Sequence, residues 1–432
     1  MDQPAPPSLC QPPGQSPVAL AGAGADTDTW PGIPGQAAGP RPVPPVEAGS
    51  PVPPVEAGSP VPPVEAGSPV PPVATGRSVA LVHEWFTATG GAEQVFRQLT
   101  EVFPTAARFA LWSDDDADPP PLRVSWLART PLRGNKAVAL PFMPLVWRTL
   151  TRDRFDVVIS SSHAFAHTVR LGNPDRTRHL SYVHAPARYL WNPGVDDRAS
   201  GPMLAVPRRL MRALDVGLSH HVHSYAANSV EVRDRIRRHW GRDAWVINPP
   251  VDVDFFSAAP AADQAQPRDY LLGVGRWVPY KNFDLIIAIA EEAGLPLVLA
   301  GSGPEEARLR RLAHQARVPV TIEVHPDRFR LRQLYWGARA LLFPVHEDFG
   351  IVPVEAQACR TPVLGLRRGG LLETVVDAET GVLVDSLDPH DHAAAIGRLD
   401  ELDQARMPVQ AERFSTQTFA RRVTEWVDHE CD

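Results

Sequence analysis

The chain has 432 residues, of which 44% are hydrophobic and 22% charged, and a formal net charge of −7. That length accommodates two or three domains. The near balance of acids and bases excludes a polyanion-binding protein, so no nucleic-acid partner is expected. Three scattered cysteines, Cys10, Cys359 and Cys431, lack metal-ligand spacing and suit a reducing compartment.

Residues 1–76 carry six acids, a single base (Arg41) and 21 of the 47 prolines. From Pro42 the nonapeptide PVPPVEAGS occurs three times and then in part, as PVPPV at Pro69–Val73. Proline at this density removes backbone donors and favours extended polyproline II, so a disordered Pro-rich tail is expected. It reads as a spacer, with a docking tail for a proline-recognising partner of unknown identity as the sharper alternative. The N-terminus lacks the basic segment and apolar core of a signal peptide. No run of 18 apolar residues occurs, so no membrane-spanning helix is expected.

Folded structure is expected from Arg77. Ser78–His83 reads as a strand, and Gly90-Gly91 opens a helix where the bare backbone can approach a ligand closely. Asp114, Asp115 and Asp116 contain an Asp-x-Asp pattern. Their setting, SDDDADPPP, marks a solvated acidic loop rather than a metal site. Leu140–Trp147, LPFMPLVW, is apolar and flanked by Arg129, Arg133, Lys136, Arg148, Arg152 and Arg154. It suits either an interfacial segment at anionic lipid or a core-facing segment with a basic outer side. Pro141 and Pro144 favour the latter, because they interrupt a long amphipathic helix. Phe155–His167 and Arg178–Trp191 each read as a buried strand running into a histidine-bearing loop, with His163 and His184 in equivalent positions. A histidine so placed is commonly structural.

The Ala/Pro/Gln-rich stretch 258–267 reads as a linker. Tyr270–Arg276 is a strand, and Arg276 and Lys281 share the loop that follows, where a guanidinium and an ammonium could clamp a diphosphate from two directions. Lys281 and Lys136 are the only lysines among 43 basic residues, which makes a lysine on this loop conspicuous. Leu297–Gly303 and Val320–Val324 continue an alternation of strands and helices that indicates a parallel sheet covered on both faces. Leu341–Val345 is short and apolar like a buried parallel strand. A turn-like patch, His346–Gly350, and a helix over Val352–Cys359 follow. Glu347 and Glu355 bracket this junction with seven residues between them. Ligands of open α/β sheets sit outside the carboxyl ends of the strands, and the free N–H groups of a helix start attract phosphate. Two carboxylates there would accept hydrogen bonds from hydroxyls. The combination suggests a nucleotide sugar.

The segments FPVHEDFGIVPVEAQACRTPV and RGGLLETV resemble the retaining GT-B glycosyltransferases, in particular the bacterial mannosyltransferase branch of glycosyltransferase family 4, whose signature is Glu, seven residues, Glu. The likeness extends over about residues 77–430. It implies two Rossmann-like α/β domains facing a cleft: an acceptor-side domain at 77–250, a nucleotide-sugar domain at 268–410, and a helix at 411–432 crossing back to the first. The implied activity is retaining transfer of a hexose, mannose from GDP-mannose, to a hydroxyl of a glycan or lipid-linked glycan in polysaccharide biosynthesis. The implied location is cytoplasmic, with peripheral contact at the inner membrane face left open, and no metal or cofactor is implied.

By the same resemblance Glu347 would hold the sugar hydroxyls and Glu355 the ribose, and Arg276 and Lys281 would hold the diphosphate. Phe349, Gly350, Ile351 and Val352 would form the phosphate-facing helix start. Gly90 and Gly91 would face the cleft near donor phosphate and acceptor, and His184 would stand beside the donor sugar. The HPDRFRLRQL segment departs from the family's glycine-bearing, acidic loop that contacts the base, so the base is not indicated. A nucleotide-sugar-binding scaffold and a phosphorylase of the same fold are the rival readings. A scaffold would need a lost site residue, yet both glutamates, Arg276 and Lys281 are present.

Overall fold

A computed structural model describes residues 76–432 apart from 87–89, 115–121, 135, 174, 192–204 and 259–267. The proline-rich tail, Asp115, Asp116 and all but the first residue of the 258–267 linker lie outside the described residues.

The apolar runs form two parallel sheets. The first contains β1 (Val79–Phe86), β2 (Ala107–Ser113), β3 (Leu122–Val124), β4 (Val157–Ser162), β5 (Arg178–Val183), β6 (Ser224–Ala227) and β7 (Trp245–Val246), in the order β3-β2-β1-β4-β5-β6-β7. The second contains β8 (Tyr270–Arg276), β9 (Leu297–Ser302), β10 (Val320–Val324), β11 (Ala338–Phe343), β12 (Val363–Leu366) and β13 (Gly381–Val384), in the order β10-β9-β8-β11-β12-β13. Both are doubly wound. The strand order reverses between β1 and β4 in one sheet and between β8 and β11 in the other, and such a reversal opens a crevice at the carboxyl ends.

β1 runs three residues past its expected end at His83, and all eight of its residues are buried, Glu84 included. A sequence reading stops at a charge because a buried carboxylate is costly; here the following turn supplies the compensating donors. β11 starts earlier than expected, at Ala338, and ends at Phe343. The next helix spans Ile351–Ala358. Met143, Pro144, Val146 and Trp147 are buried against the first sheet, whereas Phe142 and Leu145 are exposed.

The chain passes between the domains at two adjacent places. Val251 N–H donates to Phe414 O at 2.8 Å, and Val251 bridges Ser415. Val251, Val253 and Phe256 already belong to the second core. The last helix, Thr416–Cys431, returns to the first domain and buries Phe419, Ala420, Val423, Trp426 and Val427 among β1, β4 and β5 side chains. No helix among the described residues is long and apolar enough to cross a membrane.

Candidate active site

The switch point of the second sheet gathers the acidic and basic residues of its loops. After β11 the chain turns at Gly350, whose φ of 95° lies in the left-handed region that favours glycine. The helix then begins at Ile351, and its first N–H groups have no partner within the helix. The turn is packed from below by Gly370: a Cβ there would lie 2.2 Å from Phe349 Cα, so only glycine lets the two backbones approach. Gly370 N–H also donates to Glu347 O at 2.9 Å. The Gly-Gly pair of RGGLLETV thus shapes the loop that carries Glu347.

Lys281, on the turn after β8, points to the same place. Its Nζ lies 2.9 Å from Glu347 Oε1, with the two side chains 15% and 17% exposed. Arg276, at the end of β8, is exposed to solvent. Of the two basic residues of the expected clamp, Lys281 is therefore held against Glu347 and Arg276 stands at the open strand end. Glu355, one turn into the helix, accepts from Tyr335 Oη at 2.8 Å through Oε2. Burial pushes its carboxyl up to about 7, although the Tyr335 hydrogen bond acts in the opposite direction.

The first domain closes on this loop. A Cβ on Gly91 would come within 3.1 Å of Ile351 Cδ1, so the Gly90-Gly91 turn meets the start of the Ile351–Ala358 helix. Arg188 and Arg235 reach from the first domain to Asp348, at 2.5 and 2.6 Å. Glu373 accepts from Val230 N–H at 2.8 Å and from Asn248 Nδ2 at 3.3 Å. These contacts fasten the two domains on either side of Glu347.

The switch point of the first sheet holds a group of imidazoles. His184 Nε2 lies 2.8 Å from Ser161 Oγ, and His83 Nδ1 lies 3.0 Å from the same hydroxyl. Burial, then His163 and His83, hold the His184 imidazole well below its ordinary pKa, so it is neutral at pH 7. His163 is more exposed and pairs with Glu84, Nδ1 to Oε2 at 3.1 Å. The other oxygen of Glu84 accepts from the N–H groups of His163, Ala164 and Ala166 at 2.9–3.0 Å. Burial alone would raise the Glu84 carboxyl; His163, His83 and the Ala166 N–H outweigh it and hold the group far below its ordinary value.

Sequence reasoning missed Glu84, His83, Asp348, Arg188, Arg235 and Glu373. A carboxylate directly after an apolar strand was the available signal for Glu84. The interdomain partners have no local signal, because Arg188 and Asp348 lie 160 residues apart. Asp114 pairs with Arg133 at 2.8 Å, and no group of metal-ligating side chains occurs among the described residues.

The burial of Glu373 carries a test. Its carboxyl is pushed up to about 7 by desolvation, against the Val230 and Asn248 hydrogen bonds. With the folded pKa above the unfolded one, this group favours the native state at low pH, and that contribution is lost as pH rises from about 4.5 through about 7. Buried neutral histidines act in the opposite direction over part of that window, so the informative quantity is a difference between proteins. From pH 5 to pH 8, Glu373→Gln should gain up to about 3 kcal/mol of unfolding free energy relative to wild type. Denaturant melts at the two pH values would show it, and a difference independent of pH would refute the assignment.

Comparison with known proteins bears on the two domains. Residues 89–255 match the family described as Glycosyltransferase Family 4, and residues 259–414 match Glycosyl transferases group 1. D-inositol 3-phosphate glycosyltransferase of Nocardiopsis dassonvillei is 33% identical over 231 residues, covering 47% of this chain and 54% of that protein. The same-named protein of Acidothermus cellulolyticus is 36% identical over 192 residues, covering 38% and 40%. The chain spans about half the length of the curated relatives it matches. Among solved structures, Anabaena HepE in complex with UDP-glucose aligns with a TM-score of 0.61 at 18% identity, over 82% of this chain and 100% of that one. Sucrose-phosphate synthase from Thermosynechococcus elongatus aligns at 0.64 and 19%, over 82% and 98%. These structures share the two-domain fold. The described chain thus has the GT-B fold, its first domain matching Glycosyltransferase Family 4 and its second Glycosyl transferases group 1.

Proposed function

We propose that the chain transfers a hexose, with retention of configuration, from a nucleoside diphosphate sugar to a hydroxyl of a glycan or glycolipid acceptor in the cytoplasm, without a metal or cofactor. Mannose from GDP-mannose is the proposed donor. The observation that carries this reading is the convergence of Lys281, Glu347 and the helix start at Ile351 on the β8/β11 switch point, opposite the Gly91 turn. The diphosphate would take the Ile351 helix start and the Arg276 and Lys281 charges, drawing Lys281 off Glu347 and freeing that carboxylate for the sugar hydroxyls. Glu355 would hold the ribose with the oxygen that Tyr335 leaves free. His184, neutral and fixed by Ser161, would offer a hydrogen bond near the sugar.

Transfer then proceeds on one face. The acceptor oxygen bonds to the anomeric carbon as the bond from that carbon to the β-phosphate oxygen breaks. The electron pair goes to the phosphate, and the acceptor's proton passes to the same phosphate. Arg276, Lys281 and the helix start would stabilise the departing charge.

A thermal-shift panel of GDP-, UDP- and ADP-sugars tests the donor. A ligand at 100 times its Kd adds about 2.7 kcal/mol of stability, and GDP-mannose should give the largest rise. A rise with UDP-glucose alone would overturn the GDP-mannose assignment, and no rise with any nucleotide sugar would sink the reading. The name of the curated relatives, D-inositol 3-phosphate glycosyltransferase, favours a second acceptor class, a phosphorylated cyclitol, so product analysis should include one beside a glycan. Glu355→Gln should weaken free nucleoside diphosphate by about tenfold, the effect of one lost charge-assisted hydrogen bond. Unchanged affinity by calorimetry would remove Glu355 from the ribose.

A further inference from the structure

The first domain has a cavity at the other end of its sheet from His184. It measures about 280 Å³ and is lined by Arg170, His179, His220, His221 and His223 over a floor that includes Val158. Val158 and His179 face each other across the first residues of β4 and β5, and His223 immediately precedes β6. The cavity therefore lies at the amino ends of the strands, away from the loops that carry His184 and Gly91.

Its chemistry is one-sided. The charged groups acting on His221 are Arg170, Arg148 and His220, all of them basic. Partial burial and the Arg148 guanidinium hold Arg170 below its ordinary pKa. The acid that reaches this group is Glu430, beside His223. The like-charged Arg170 and Arg148 guanidiniums cost free energy that an anion joining them would relieve.

The imidazoles are also held in place. His223 Nδ1 accepts from His179 N–H at 3.0 Å, and His223 N–H donates to His179 O at 2.8 Å. That fixes the His223 tautomer, with its proton on Nε2 as an outward donor. His179 Nε2 is 2.9 Å from Ser160 Oγ, and Arg242 donates to Val222 O at 2.9 Å, strapping the histidine segment down. These histidines are not gathered as metal ligands, and four basic donors around an empty volume fit an anion instead.

We propose that this cavity binds a phosphate-bearing ligand at a site separate from the donor cleft, with Arg170, His220, His221 and His223 as the donors. Its volume of about 280 Å³, where one water occupies about 30 Å³, accommodates a phosphate together with the group it esterifies. That group belongs either to a soluble phosphate ester or to an anionic lipid. The lipid source deserves its own arm because Arg148 ends the helix Met143–Arg148, beside the exposed Leu145 and Phe142.

Calorimetric titration with inorganic phosphate tests the site in three full-length proteins: wild type, Arg170→Gln/His221→Gln, and Lys281→Met. Wild type and Lys281→Met should share one binding event that the double variant weakens by at least about tenfold. Equal phosphate affinity in wild type and the double variant would overturn the proposal. So would disappearance of the event in Lys281→Met, which would place it in the donor cleft. Arg170 and His221 are exposed, so the double variant should keep its unfolding midpoint. Should it not, the imidazole proton resonances of the wild-type chain still decide: phosphate must shift those absent from the spectrum of His221→Gln, and no shift there refutes the site. Sedimentation with phosphatidylglycerol and phosphatidylcholine vesicles separates the sources. Retention on the anionic vesicles that the double variant loses identifies a lipid headgroup, and loss of phosphate binding with unchanged sedimentation identifies a soluble ester.

Discussion

Lys281→Met is expected to slow glycosyl transfer by about 10²–10³ while leaving the fold intact, because removing a preorganised group that faces developing charge costs roughly 3–4 kcal/mol of barrier. The ammonium now has two partners to serve. In the free protein it lies 2.9 Å from Glu347 Oε1; with donor bound, the diphosphate would compete for it. Methionine removes both interactions and leaves Glu347 without its cation. Lys281→Arg should be only partly active, since a planar fork cannot take the position of a compact ammonium. A chain carrying 41 arginines and two lysines has a lysine where that difference matters. Single-turnover rates with donor in excess would measure the step directly. Near-wild-type turnover of a folded Lys281→Met protein would remove this residue from the site.

Glu84→Ala should be the most damaging single change to stability, by about 3–5 kcal/mol, the cost of breaking a buried charged network by deleting one partner. The side chain is fully buried, and its loss leaves the His163, Ala164 and Ala166 N–H groups and the His163 imidazole without their acceptor. Since about 1 kcal/mol shifts Tm by about 2–4 °C in domains of this size, a fall of about 10 °C is expected. Glu84→Gln keeps an acceptor for the three N–H groups and should recover more than half of that loss. A Tm for Glu84→Ala within about 2 °C of wild type would show that the turn after β4 holds its shape unaided.

The positions of many strands were legible because buried parallel strands are written as local apolar runs. Tyr270–Arg276 and Val320–Val324 coincide with β8 and β10. The loop after β11 was legible for the same reason: Glu347, Gly350 and Glu355 lie within nine residues of one another. What escaped was the paired chemistry of distant loops. Asp348 was visible as one acid in a polar turn, but its two arginine partners come from the other domain, and nothing local distinguishes Arg188 or Arg235 from the many other arginines. Glu84 was lost for a physical reason of another kind. A carboxylate ends an apolar pattern unless the fold supplies donors, and those donors sit 79 to 82 positions further along the chain.

The return of the last helix has a consequence for how the protein is made. Phe419, Val423, Trp426 and Val427 lie in the same core as Val79, Leu81 and Ile159, yet they are synthesised after the whole second domain. While the ribosome is still translating the second domain, the sheet that appeared first has an uncovered apolar flank. Domains generally fold as units, the N-terminal one first during synthesis, and transiently exposed apolar surface invites aggregation. Here the earlier domain cannot complete its core until Thr416–Cys431 has emerged behind the second domain, so the two halves mature together rather than in sequence.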